Sequence, residues 1–330
     1  MSQWEIPRLS RRSFFAGGCA IPLVSQMSAA PPKRPALISI TLDLEMCRDF
    51  PVRGQTRWLY EKGNLDEPTK AYAVEACRRV KERGGVVHCF AVGRVFEQQN
   101  VDWLKQIVEA GHPVGNHTYD HVNVHARKRS ELQDRFNRAP WLIEGKTIPE
   151  VIRENIQRTT VAMRHHLGIE PNGFRTPGGF AKGLAGREDI QNLLLGLEFQ
   201  WVSSKYAFHP MGEVGKQPDD ALLQKAVDMQ PYSQPFRYPT GLIEVPMSPV
   251  SDVMAMRIAR WSRKSWLAAL REAITWTIEK GSVFDLLTHP SVLVVMDPKF
   301  EALEMVCDMI EEAGNDARLV ALDELAKRAV

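Results

Sequence analysis

The chain has 330 residues, 44% of them hydrophobic and 25% charged, with 42 Lys+Arg against 40 Asp+Glu and a net charge of +2. This is the composition of a folded globular protein, which excludes fibrous and disordered classes, and the near-balance of charge excludes a nucleic-acid binder that relies on basic excess. No apolar run reaches the ~18 residues that a membrane-spanning helix needs.

Taken in chain order, residues 1–30 come first and read as an export signal. Arg8, Arg11 and Arg12 stand against Glu5 alone, which leaves 39 basic and 39 acidic residues in 31–330. A short hydrophobic stretch follows, Phe14 to Val24, broken by Gly17, Gly18 and Pro22, and then the small residues Ser28, Ala29 and Ala30. Ser10-Arg11-Arg12-Ser13-Phe14-Phe15 resembles the twin-arginine motif of bacterial Tat signals. The expectation is a Tat-like signal over 1–30, a periplasmic or extracellular product, no stable membrane insertion once the signal is removed, and one catalytic domain over 31–330. Cys47, Cys77, Cys89 and Cys307 lack metal-binding spacing and read as buried thiols.

From Ala36 onward, short apolar runs alternate with stretches of helical periodicity. Strands are predicted at Ala36–Glu45, Gly85–Val92, Pro113–His117, from Phe174, at Phe199–Ser203, Leu242–Met247, Ser282–Thr288 and Leu319–Leu322. Helices are predicted at Thr69–Arg83, Val101–Ala110, 129–139, 149–167, 187–197, Trp266–Lys280 and Pro298–Ala313. Strand–helix alternation over about 300 residues predicts a single α/β domain, a distorted (β/α) barrel of seven or eight strands. The stretch 205–240 reads as a long loop near the working face.

Four groups of residues carry chemistry. Asp43 and Glu45 end the first strand; a period of two puts both on one face, at the strand end where barrels build their sites. His117 and His121 are four apart in Gly115-Asn116-His117-Thr118-Tyr119-Asp120-His121, a spacing that suits a metal if the segment turns helically; His125 continues it, as a third ligand or an exposed neighbour. Arg175 opens Arg175-Thr176-Pro177-Gly178-Gly179, a rigid turn with room for close backbone approach. His289 ends an apolar strand, before Pro290.

An acid pair, a His pair, an Arg-x-Pro-Gly turn and a strand-end His, in that order, resemble the polysaccharide deacetylases, which include chitin and peptidoglycan N-deacetylases. The most specific stretch is Phe90 to His121, and the whole resemblance runs from about Leu37 to Pro290. It implies removal of N-acetyl groups from an acetylated polysaccharide or oligosaccharide, with Asp43 as catalytic base, Arg175 orienting it, the Gly178 N–H at the oxyanion and His289 as general acid. It also implies a divalent metal, zinc by preference, on His117 and His121. Where the family's motif has a second Asp, this chain has Leu44, which cannot bind metal; Glu45, on the same face as Asp43, is the candidate replacement ligand. The Trp201-Val202-Ser203-Ser204-Lys205 stretch lacks the aspartate that tunes the acid, leaving Asp285 and Glu244 as substitutes for it. Trp201, Tyr206, Phe236 and Tyr238 read as packing rather than as sugar-stacking residues. The alternatives are a cyclic amide or imide hydrolase of the allantoinase-like branch, and a non-catalytic carbohydrate-binding relative.

Overall fold

The structure is a computed structural model and describes residues 34–48 and 62–329. The predicted signal over 1–30 lies outside the described residues. The strands are β1 (Ala36–Leu44), β2 (Val87–Ala91), β3 (Val114–Asn116), β4 (Gly173–Phe180), β5 (Trp201–Lys205), β6 (Phe236–Arg237), β7 (Ile243–Glu244), β8 (Val283–Thr288) and β9 (Ala317–Leu319). They form one sheet in the order β6-β7-β5-β4-β3-β2-β1-β8, with β9 also on β1. Every pairing is parallel except that of β6 with β7. Crossover helices join the parallel strands and are sharply bounded. Asp66 caps Glu67–Glu82 by accepting from the Thr69 N–H, and a Thr147/Glu150 capping box starts Ile148–Leu167, which Gly168 ends in a left-handed turn at φ +69°.

The sheet must curl, because β4 and β8 are four places apart yet touch. At about 4.8 Å per strand a flat sheet would hold them about 19 Å apart. Instead Arg175 Nη2 donates to Asp285 Oδ2 at 2.8 Å, with both side chains fully buried. Thr41 of β1 joins them: its hydroxyl donates to Asp285 Oδ1 at 2.8 Å and accepts from Arg175 Nη2 at 3.1 Å. The outer ends of this half-barrel meet without a strand ladder. The Ser248 N–H donates to the Asp285 carbonyl, the Asp285 N–H donates to Ser248 Oγ, and the Gln234 amide group bonds both the N–H and the carbonyl of Val283.

Inside, the barrel is layered. Leu37, Phe90, Trp201, Val245 and Val283 close the end where the strands begin, and Leu322, Leu325 and Ala326 pack onto them. The Arg175–Asp285–Thr41 layer follows, with the Arg175 guanidinium 4.6 Å from the centre of the Phe90 ring. The outward faces of β1 and β2 (Ile38, Ile40, Leu42, Val87, Cys89) pack against the crossover helices.

Several elements differ from expectation. The strand expected at Phe199–Ser203 runs Trp201–Lys205. The apolar run Leu319–Leu322 is not a strand: β9 ends at Leu319 and Leu322–Ala326 is helical, because Leu322 and Leu325 serve as the barrel's plug. The 205–240 stretch is not loop throughout; Asp219 caps a helix, Asp220–Asp228, that buries Leu223, Ala226 and Val227. Residues 129–139 split into two short helices, Arg129–Leu132 and Asp134–Arg138. Trp201, Tyr206 and Tyr238 are buried, as packing residues are, and the four described cysteines are buried. Among the described residues no helix is long and apolar enough to cross a membrane.

Asp285→Ala would leave the Arg175 charge buried and unpaired, a change that typically costs about 3–5 kcal/mol. Denaturant unfolding of this variant is expected to show that loss, while Arg175→Met combined with Asp285→Leu recovers most of it.

Candidate active site at the carboxyl ends of the strands

Parallel strands all end on one side, and the chemistry gathers there. Asp43 is the last inward residue of β1, and Glu45 follows immediately after the strand; both are buried. His117 follows β3 and His289 follows β8. The fold therefore brings Asp43, Glu45, His117, His121 and His289 into one cluster. His117 Nε2 lies 3.8 Å from Asp43 Oδ2 and 3.9 Å from Glu45 Oε2, and His121 Nε2 lies 2.5 Å from Glu45 Oε2. His289 Nε2 is 3.6 Å from Glu45 Oε1 and 4.0 Å from Asp43 Oδ2.

The two histidines converge without a helix. After β3 the chain makes a loop in which Thr118 and His121 hold left-handed backbone, φ +59° and +58°. Asn116 accepts from the Thr118 N–H, Thr118 Oγ1 from the Val122 N–H, and Asn155 from the Asp120 N–H. These bonds, rather than a helical repeat, set the His117–His121 geometry. His125 is neither ligand nor exposed neighbour: its Nε2 bonds the Gly183 carbonyl and its ring packs 4.0 Å from Phe180.

Ligand atoms of Glu45, His117 and His121 all lie within 4.8 Å of one another. Two imidazoles and a carboxylate are the donor set of hydrolytic metal sites. His117 Nδ1 is engaged by the Arg175 carbonyl at 2.9 Å, which leaves Nε2 aimed at the cluster, the orientation that an outer contact gives a metal-bound histidine. The residues thus fit a divalent metal. Leu44, the departure noted in the sequence, faces outward into the core, so Glu45 is the acid beside Asp43 that reaches the histidines.

Arg175 does not hydrogen-bond Asp43. It sits one layer deeper, on Thr41 and Asp285, and reaches Asp43 only through its charge. Burial raises Asp43 to about 6, against the pull of Arg175 and then of His289. Its Oδ1 is buried and has no hydrogen-bond partner among the described residues. Gly178 lies at the exposed rim, past the point where the β4 register shifts, at φ +84° with open space where a Cβ would be; its carbonyl accepts from Thr176.

The partner of His289 is Asp252, not Asp285 or Glu244. Asp252 Oδ1 meets His289 Nδ1 at 2.9 Å and Oδ2 accepts the His289 N–H at 2.7 Å. Asp285 and His289 are four residues apart along β8 and beyond, about 13 Å, too far to pair. Glu244 is consumed by Ser204, Tyr238 and the Lys205 N–H. Burial alone would lower His289, but the Asp252 carboxylate overrides it and holds the imidazole up at about 9. The segment that presents Asp252 is pinned from both sides. Tyr206 Oη accepts the N–H groups of Val250 and Ser251, and Trp266 Nε1 donates to the Val250 carbonyl. Val250 itself has φ +85°, a conformation a β-branched residue adopts only under constraint.

Two site residues carried no legible signal. Asp252 caps a short π-helical segment, Val253–Ile258, that no apolar periodicity announces. Lys62, 1% exposed, places Nζ 2.6 Å from Glu45 Oε2.

The family model for polysaccharide deacetylase matches residues 63–192, the stretch that holds both site histidines, Arg175 and Gly178. No curated protein matches the chain. Among solved structures, a protein from Mycobacterium smegmatis assigned to the polysaccharide deacetylases is similar at TM-score 0.60 and 14% identity, with 91% of each chain covered. Puue allantoinase is similar at TM-score 0.59 and 13% identity, covering 91% of this chain and 94% of that one. A protein from Pseudomonas aeruginosa PAO1 assigned to the polysaccharide deacetylases is similar at TM-score 0.56 and 14% identity, again with 91% and 94% covered. These likenesses show the fold, a curled deacetylase barrel, and the polysaccharide deacetylase model matches the part of the chain that carries both site histidines.

Proposed function

We propose that the protein is a metal-dependent amide hydrolase that removes N-acetyl groups from an acetylated glycan. The observation that carries this reading is the flanking of the Glu45/His117/His121 cluster by a carboxylate and an imidazole of opposite proton preference. A divalent metal held there, zinc by preference, would polarise the acetyl carbonyl and make a bound water acidic. Asp43, raised to about 6 yet still mostly ionised at neutral pH, takes a proton from the attacking water through Oδ1, which has no partner among the described residues. His289, protonated and held by Asp252, gives a proton to the leaving amine, so acetate and a free amine are released. Asp252 touches no substrate; it positions the imidazole and keeps it charged. The Gly178 N–H at the rim is the proposed contact for the oxyanion. We further propose export, on the strength of Ser10-Arg11-Arg12-Ser13-Phe14-Phe15, which puts the enzyme beside cell-surface and extracellular glycans.

Asp43→Asn is expected to lower kcat/KM for acetate release from N-acetylated oligosaccharides by about 10²-fold or more while leaving metal content intact. His117→Ala with His121→Ala is expected to abolish bound metal, read by elemental analysis, and Glu45→Ala to reduce it. Ring opening of a cyclic amide in place of acetate release would move the assignment to the allantoinase-like reaction. In Asp252→Asn the negative charge that keeps His289 protonated is gone, so its titration in the metal-free protein, followed by NMR of the ring protons, moves to lower pH than about 9.

A further inference from the structure

Glu45 already has a cation. The Lys62 ammonium lies 2.6 Å from Glu45 Oε2, the same oxygen that faces His117 and His121, and both side chains are buried, at 1% and 6% exposure. Lys62 is seated by backbone as well as by charge. The next residue, Gly63, donates its N–H to the Glu45 carbonyl at 2.7 Å. Gly63 takes φ +84°, and a Cβ there would meet Arg94 Cβ at 2.4 Å, so only glycine brings the chain in at this point. The loop therefore delivers a lysine to the oxygen that completes the ligand triad.

Such a placement has a definite electrostatic effect. A dication and an ammonium on one carboxylate repel each other, and removal from water strengthens that repulsion. A carboxylate oxygen that already accepts from an ammonium is also a poorer donor to a metal. We propose that Lys62 is a built-in competitor for the metal: it holds Glu45 when the site is empty, metal entry must expel it from Oε2, and the native site binds metal more weakly than its two imidazoles and carboxylate would alone. This rests on the metal reading of the triad. It makes the site one that exchanges metal readily, with affinity tuned by a residue that is not a ligand.

The test is calorimetric titration of Zn²⁺ into the full chain after chelator treatment, for wild type, Lys62→Met and Lys62→Arg, with thermal melts to establish that each is folded. Contacts just outside a metal's ligands shift affinity about 10–100-fold. Lys62→Met is expected to bind Zn²⁺ at least about tenfold more tightly than wild type, and Lys62→Arg no more tightly than wild type. Equal or weaker binding by folded Lys62→Met, with wild type binding normally, overturns the inference and leaves the metal reading standing. Absence of binding by every protein overturns both. If Lys62→Met does not fold, Lys62→Gln, which keeps a hydrogen bond but no charge, carries the same expectation and the same refutation.

Discussion

A guanidinium buried at the barrel's centre is the constraint from which the rest follows. Arg175 enters from β4, Asp285 from β8 and Thr41 from β1, and each satisfies part of another's hydrogen bonding. An arginine cannot shed its charge, so it must keep its carboxylate, and the sheet must stay curled to supply it. The layer above inherits that curl. Asp43 lies one inward step beyond Thr41 on β1, and His117 Nδ1 contacts the Arg175 carbonyl itself. The ion pair thus sets where the acids and the first histidine sit. Its charge also restrains the rise of Asp43 that burial would otherwise impose.

The site is a balance of charges as much as a set of positions. Asp43 and Glu45 are adjacent acids with opposite fates. Burial dominates at Asp43 and raises it, whereas at Glu45 burial is overcome by Lys62 and His121, which hold it well below the usual range. His289 sits between these acids and Asp252, and remains protonated as a consequence. One fold therefore holds two carboxyl groups and an imidazole of different proton affinity within a few ångströms, distinguished by which neighbour each one has.

The sequence reveals residues whose roles follow from local pattern. Strand parity placed Asp43 and Glu45 on one face, and the alternation of strands with helices indicated the barrel. Residues whose partners lie far along the chain were not legible. Asp252 has no periodic neighbourhood, and its tie to His289 exists only because Tyr206 and Trp266 fix Val250 in an unusual backbone conformation. Asp285 was visible as an acid in an apolar strand, yet depth along the barrel, not face, decides that it meets Arg175 instead of His289. Lys62 follows a segment without pattern and reaches Glu45 through a turn that Gly63 alone permits. The histidine spacing suggested a helix, whereas side-chain bonds from Asn116, Thr118 and Asn155 produce the same convergence in a loop.

The order of strands has a consequence for how the site comes into being. β1 carries Asp43 and leads directly into Glu45, but its neighbours on one side are β8 and β9, with Leu37 beside Val283 and Ala36 beside Ala317. The first strand made must wait for almost the last. Contacts of such long sequence separation form late, because the loop they close must be paid for before they reward it. A chain still being synthesised can build helices and the β2–β3–β4 portion, but it has no place for Asp285 or His289 and so no finished pocket. Until β8 has joined the sheet, the chain holds the histidine loop but lacks the imidazole of His289 that faces it.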